Sequence, residues 1–93
     1  MAKKTTSTDY KHAAHVAWRR VENEGVILDL NSSNYFSLND VGVLIWEKLG
    51  SGESLESVQA AVCEEFDVPP DQALRDIKAL VKELTGKGLL LPA

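Results

Sequence analysis

The sequence predicts an α+β domain of the winged helix-turn-helix-like type, with a three-stranded antiparallel sheet followed by three α-helices. Three observations indicate this class. Apolar residues recur at every second position up to Leu38 and at every third or fourth position from Val41 onward. Polar turns separate these segments. The 93 residues, 44% of them hydrophobic, suit one small core.

The first two strands form a predicted hairpin. Residues 15–22 (HVAWRRVE) alternate as an extended segment, and the turn residues NEG lead into VILDL at 26–30. We expect the alternation in VILDL to direct Val26, Leu28 and Leu30 into the core. After the polar turn NSSN, the short run YFSL supplies a third strand in which Phe36 and Leu38 share a face.

Each of the three helices has a predicted start and end. Asn39 stands at the N-cap of the first helix, which ends at the GSG turn. Ser54 is the candidate N-cap of the second helix, and Pro70 lies at the start of the third. The core faces of the three helices are predicted to contain Val41, Ile45 and Leu49; Leu55, Val58, Val62 and Phe66; and Ala73, Ile77, Leu80 and Leu84. The closing LLLP is expected to pack on the domain as an extended segment.

The chain divides into a tail and a domain. Residues 1–14 begin with the polar run MAKKTTSTDYK and are expected to form a flexible tail, which leaves residues 15–93 as the folded domain. Cys63 is the single cysteine, so no internal disulfide can form. No apolar run resembles a signal peptide or a membrane span. These features predict a cytoplasmic protein with no membrane partner.

Residues that could carry catalysis or hold a cofactor are few. Cys63 lies beside the apolar stripe of the second helix, where a thiol is most often a small core residue. His12 and His15 could meet on one helical turn, but no third metal ligand lies near them. No glycine-rich phosphate loop follows a strand. We therefore predict no catalytic residue, no metal, no cofactor and no enzyme activity.

A winged-helix DNA-binding transcription regulator is the alternative that the fold class raises, because the third helix would then enter a major groove. The exposed residues of that helix are mixed in sign, and the whole chain carries 10 basic and 14 acidic residues for a net charge of -4. A groove-reading helix usually carries a basic footprint. We therefore expect no nucleic-acid partner.

The outer edge of the third strand is the more informative surface. In a meander this edge keeps unpaired backbone N–H and C=O groups, which can accept another strand. The usual blunting by Lys, Pro or a bulge is absent from NYFS at 34–37. Such an edge favours capture of an extended peptide, and it also permits two copies of the chain to pair as a dimer.

Over residues 16–90 the sequence resembles the PqqD-like family. The resemblance rests on the LDL strand, the aromatic-to-LN junction at 35–39, IWEKL at 45–49, Asp76 and the closing GLL. It implies the fold known as the recognition element for precursors of ribosomally synthesised, post-translationally modified peptides. Members look like non-catalytic peptide chaperones that bind a precursor's leader by β-strand addition to their third strand. They present the rest of the precursor to a modifying enzyme, such as a radical S-adenosylmethionine enzyme, a leader peptidase or a cyclase.

The resemblance implies that the leader lies on the third strand and against the third helix. The expected peptide-binding residues are Asn34, Tyr35, Phe36 and Ser37 on the strand, Leu74, Lys78, Val81 and Lys82 on one flank of the helix, and Arg75 as a further positive charge. Leu74 and Val81 would bury an apolar leader residue. Arg75, Lys78 and Lys82 would attract leader carboxylates, a weaker contribution because these charges are exposed.

Overall fold

The computed structural model describes residues 9–93. In chain order the elements are β1 (Tyr10–His12), β2 (Val16–Val21), β3 (Glu24–Asp29), β4 (Tyr35–Leu38), α1 (Asp40–Gly50), α2 (Leu55–Phe66), α3 (Pro70–Gly86) and β5 (Leu90–Pro92). The sheet order is β2-β3-β4, antiparallel throughout, and β1 pairs with β5 in a separate two-stranded sheet. The predicted α+β fold, a three-stranded sheet followed by three helices, is confirmed. The strand predicted as the third is β4.

Local signals start the helices where the sequence predicts. The side-chain oxygen of Asn39 accepts a hydrogen bond from the Gly42 N–H at 2.8 Å, and the Ser54 hydroxyl accepts one from the Ser57 N–H at 3.1 Å. Each bond satisfies an amide of the first turn that has no acceptor within its helix. Pro70 is the first residue of α3, where its missing N–H costs nothing. Within residues 9–93 no helix is both long and apolar enough to cross a membrane.

One hydrophobic core joins the sheet to the helices. α1 packs on β3 and β4, while α2 and α3 pack against α1 and against each other. Residues of all three helices, of the sheet and of the C-terminal segment are fully buried, including Ile27, Val43, Trp46, Leu49, Val58, Val62, Ala73, Ile77, Leu89 and Leu90. The three-stranded sheet is therefore covered by helices on one face.

The inward face of β3 differs from the predicted one. Ile27 is fully buried, whereas Leu28 is 36% exposed and Leu30 is 57% exposed. Gly25 shares the inward face and lies against Val43 of α1, where a Cβ atom would overlap the valine side chain. Because side chains alternate along a strand, the close approach of α1 at Gly25 directs Ile27 inward and Leu28 outward. The prediction that Val26, Leu28 and Leu30 face the core is wrong.

The N-terminal segment belongs to the domain from residue 9 onward. β1 pairs antiparallel with β5, the Ala13 N–H donates to the Leu89 carbonyl at 3.0 Å, and Asp9 accepts a hydrogen bond from the first amide of α2 at 2.9 Å. The predicted flexible tail of residues 1–14 is therefore corrected over residues 9–14, because strand pairing with LLP gives a polar segment its hydrogen bonds. Residues 1–8 lie outside the described part of the chain.

His12 connects this segment to the centre of the core. Its imidazole stacks on the buried Trp46 indole with the ring centroids 3.5 Å apart and the planes at 8°, and its Nε2–H donates to the Trp46 carbonyl at 2.8 Å. Trp18 of β2 meets the same indole edge-on at 6.4 Å. The ring of His12 lies directly over Gly50, where a Cβ would overlap it. β1, β2 and α1 thus meet at one aromatic cluster.

We expect Gly50→Ala to destabilise the domain by about 1–3 kcal/mol, because the new methyl group displaces His12 from its stack. The matched control is Gly86→Ala at the end of α3, where a Cβ would meet no atom within 4 Å. Urea unfolding of both variants measures the difference. In a His12→Ala background the overlap is gone, so Gly50→Ala should then cost little. An equal cost of Gly50→Ala in both backgrounds would contradict this explanation.

We also expect the stability of the domain to fall as the pH decreases through the range in which His12 titrates. Burial lowers the pKa of His12 below its ordinary value of 6.5, and the hydrogen bond to the Trp46 carbonyl offsets part of this effect. Because the folded pKa is depressed, the unfolded chain binds more protons in this range, so the stabilisation is present above pH 6.5 and is lost below it.

The measurement is the urea midpoint between about pH 7.5 and about pH 5.5, which brackets the ordinary histidine pKa. His12→Phe keeps an aromatic ring in the stack but cannot titrate, so its midpoint should change less over this interval. If wild type and His12→Phe lost stability equally, His12 would not be the responsible group.

Candidate functional site

Among residues 9–93 no strand pairs with the outer edge of β4, which is the last strand of its sheet. The pairing on its other side shows which backbone groups face outward. The Asp29 N–H donates to the Asn34 carbonyl at 2.8 Å, and the register pairs Ile27 with Phe36. Because hydrogen-bonded and non-hydrogen-bonded pairs alternate in an antiparallel ladder, Phe36 bonds to β3. The N–H and C=O groups of Tyr35 and Ser37 therefore point to the open edge.

The hydrogen bonds between β2 and β3 independently show which alternate residues of β3 bond to which neighbouring strand. The Leu30 N–H donates to the His15 carbonyl at 2.8 Å. The alternate residues of β3 that include Leu30 and Leu28 thus bond to β2, and those that include Asp29 and Ile27 bond to β4. The two ladders agree, so the edge of β4 presents a regular pattern of backbone donors and acceptors.

A groove of about 320 Å³ lies between the first half of α1 and α3. One wall contains Asn39, Val41, Gly42 and Ile45, from the N-cap and first turns of α1, and the other contains Asp76, Ala79, Leu80 and Glu83 of α3. Leu80 and Val41 are half-buried and supply apolar surface. Asn39 directly follows Leu38, the last residue of β4, so the groove adjoins the end of β4.

The two adjacent aromatic residues of β4 lie on opposite faces of the sheet. Phe36 is half-buried on the helix side, and the Lys87 ammonium lies 4.6 Å from the centre of its ring. Tyr35 is 68% exposed on the other face. The contact between Phe36 and Lys87 brings the C-terminal end of α3 next to β4.

The structure places the predicted site residues in two groups. Asn34, Tyr35, Phe36 and Ser37 are on or next to the open edge of β4. Lys78, Val81 and Lys82 line a different pocket, together with Tyr10, Leu55 and Thr85. That pocket shares no residue with the groove beside β4. The predicted strand residues and the predicted helix residues are therefore not brought together.

Helix geometry explains the difference. With 3.6 residues per turn, Asp76, Leu80 and Glu83 follow one side of the buried stripe of α3, while Lys78 and Val81 follow the other. Val81 is only 8% exposed, because it belongs to the core. The two remaining predicted residues do not line the groove either: Leu74 lies on the same flank as Lys78, and Arg75 is exposed and donates to Gln72 at 3.1 Å.

The groove residues of α3 were not among the predicted binding residues. Asp76, Leu80 and Glu83 recur at spacings of four and three residues, which is a helical signal. The opposite flank has an equally regular pattern, and nothing in the sequence distinguishes the two. Asp76 and Glu83 give the groove two carboxylates, and the Asp76 carboxylate accepts from the Gln72 amide at 3.2 Å.

Other chemically capable residues are embedded in the fold. Cys63 is a half-buried free thiol packed against the core, and His12 is stacked on Trp46. Within residues 9–93 no group of three or more His, Cys, Asp or Glu side chains is arranged to hold a metal ion. The open edge and the groove are therefore the features that suit recognition of a peptide.

Comparisons with known proteins identify the chain's relatives. The family model described as coenzyme PQQ synthesis protein D (PqqD) matches residues 24–90. No curated protein matches. One similar solved structure is TbiB1 in complex with the TbiA(beta) leader peptide, at 32% identity and a TM-score of 0.80, with 86% of this chain and 93% of that chain covered.

A second similar structure is a lasso peptide synthetase B1 complexed with the leader peptide. It is also 32% identical, with a TM-score of 0.82, and the match covers 90% of this chain and 99% of that one. The family model spans most of the chain, including β3, β4 and all three helices. The family resemblance predicted from the sequence is confirmed, and the chain belongs to the PqqD family.

Proposed function

We propose that this protein binds the leader segment of a ribosomally synthesised precursor peptide by β-strand addition to β4 and presents the rest of the precursor to a modifying enzyme. The observation that carries this proposal is the open β4 edge, where Tyr35 and Ser37 direct their backbone groups toward the side that adjoins the α3 groove. Backbone pairing supplies affinity and register, and side-chain pockets supply selectivity. Both similar structures contain a leader peptide, which supports leader binding by this chain.

The two edges of the sheet differ in a way that favours β4. β2, at the opposite edge, carries Arg19 and Arg20, and charged side chains are a common means of discouraging strand addition. The sequence YFSL of β4 contains no charge and no proline. A peptide strand therefore meets less opposition at β4 than at β2.

The domain's own role is binding without catalysis. Its reactive side chains, Cys63 and His12, are engaged in packing, and the groove carries carboxylates and apolar groups that suit peptide side chains. Chemistry on the precursor would then belong to the partner enzyme. The DNA-binding alternative gains no support, because the groove flank of α3 presents Asp76 and Glu83, which would repel a phosphate backbone.

Ser37→Pro should weaken leader binding by about tenfold, because proline removes an outward N–H from the β4 edge. The hydrogen bonds between β4 and β3 stay intact, since the Ser37 amide does not face β3. Fluorescence anisotropy with the labelled leader encoded beside the gene measures the affinity. Ser37→Ala, which keeps the backbone donor, is the matched control. A folded Ser37→Pro domain with wild-type affinity would exclude strand addition at β4.

Leu80→Gln should also weaken leader binding by about tenfold, since one well-buried apolar anchor contributes about 1.5–3 kcal/mol. Leu74→Gln is the matched control, because Leu74 is likewise half-buried on α3 but lies on the other flank. Circular dichroism confirms that both variants are folded, and isothermal titration calorimetry compares their affinities for the same leader. The reverse ranking, with Leu74→Gln the weaker binder, would move the guest to the flank of Lys78.

A further inference from the structure

The face of the three-stranded sheet that points away from the helices is unusually apolar. The register sets Ala17, Leu28 and Tyr35 side by side in one row across the three strands, with Arg19, Val26 and Ser37 in the next row. All six side chains point outward, since Trp18, Ile27 and Phe36 point to the core. We call the five residues Ala17, Arg19, Val26, Leu28 and Tyr35 the outer patch.

Three large apolar side chains in or next to the outer patch are exposed to solvent. Tyr35 is 68% exposed and Leu28 is 36% exposed, and the neighbouring Leu30 is 57% exposed. The five residues, with Trp18, line a shallow depression of about 430 Å³. Adjoining apolar side chains on an exposed sheet face offer surface that a protein partner can bury.

The guest peptide would leave the outer patch free. It would lie at the edge of β4, beside the groove on the helix side of the sheet. As an added strand, however, it would extend the same sheet, and every second side chain of the guest would emerge next to Tyr35 on the outer face. The outer patch is therefore continuous with the proposed leader-binding edge.

The charge of the outer patch indicates the chemistry of its partner. Arg20 forms an ion pair with Glu47 at 2.6 Å, whereas Arg19 has no ion-pair partner among residues 9–93. The five residues of the outer patch contain no carboxylate, and the nearest one on this face is Glu24, in the next row beside Val21. A partner that offers apolar side chains and a carboxylate placed against Arg19 complements the outer patch.

We propose that the outer patch is the docking surface for the enzyme that modifies the bound precursor, through an apolar enzyme surface with a carboxylate facing Arg19. This inference rests on the proposed leader binding. The leader strand enlarges the docking surface by its own outward side chains, so the enzyme binds the leader-loaded domain more tightly than the free domain. The three-stranded sheet thus has two binding surfaces. The leader binds at the β4 edge on the helix side, and the enzyme binds the outer patch on the opposite face.

The test uses two variants of the outer patch, Leu28→Gln and Arg19→Glu, in the full chain. Biolayer interferometry measures binding to the purified maturation enzyme encoded in the same gene cluster, with and without saturating leader peptide. Each variant should lose about tenfold or more in enzyme affinity, as expected for a central interface residue. Affinity for the labelled leader alone should stay at the wild-type value.

Two substitutions elsewhere serve as matched controls. Leu91→Gln changes a leucine of β5 that is 38% exposed, close to the 36% of Leu28, and Arg75→Glu reverses an exposed arginine on α3. Both controls should bind the enzyme as the wild type does. Unchanged enzyme affinity of Leu28→Gln and Arg19→Glu, or no complex between the enzyme and the leader-loaded wild type, would overturn the inference.

If a second copy of the chain or the leader itself binds the outer patch, the same variants give different results. A wild-type dimer in sedimentation velocity that Leu28→Gln converts to a monomer would assign the patch to a second copy, against the inference. Loss of leader affinity in Leu28→Gln would assign it to the leader. If the wild type failed to bind the leader at all, the proposed function itself would fail, and the separate leader titration reveals that case.

Discussion

The stack of His12 on Trp46 is the contact on which the rest of the structure depends. The indole is fully buried, it meets Trp18 of the sheet edge-on, and its own backbone belongs to α1. Through His12 it also holds β1, which pairs with β5 after α3. A domain of this size buries only about 60–65% of its unfolded surface, so one cluster that joins three elements carries a large share of its cohesion. The buried indole N–H finds no acceptor among residues 9–93, a cost that the ring packing must offset.

The same arrangement explains why β4 remains available. β1 does not extend the three-stranded sheet: it pairs with β5, and the stack of His12 on Trp46 holds it against α1. α1 covers β3 and β4 from one face and leaves the edge of β4 clear. The backbone groups of Tyr35 and Ser37 stay available at this edge because β1 pairs with β5 instead. An unfilled edge is a liability in most proteins, and under the proposed function it is the surface that accepts the guest strand.

Much of the fold could be predicted because its signals are local. The caps at Asn39 and Ser54, the proline that opens α3 and the helical stripes act within a few residues. Which residues of β3 face the core could not be predicted, because Val26, Ile27 and Leu28 are all apolar. The inward set depends on how closely α1 approaches Gly25. The flank of α3 that lines the groove could not be predicted for a similar reason, since both flanks have helical spacing and only the packing decides which one faces α1. β1 was missed because its polar residues gain their structure from a partner about 80 residues away in the chain.

The pairing of β1 with β5 also brings the two ends of the described chain together. The Ala93 N–H donates to the Asp9 carbonyl at 3.2 Å, so the polypeptide enters and leaves the domain at one point. If this domain were inserted into a surface loop of another protein, the two points of attachment would lie only about 5 Å apart, the spacing of two paired strands. The fold is therefore suited to serve as an insert in a larger enzyme as well as an independent unit, because its connection to a host would impose little distortion on either partner.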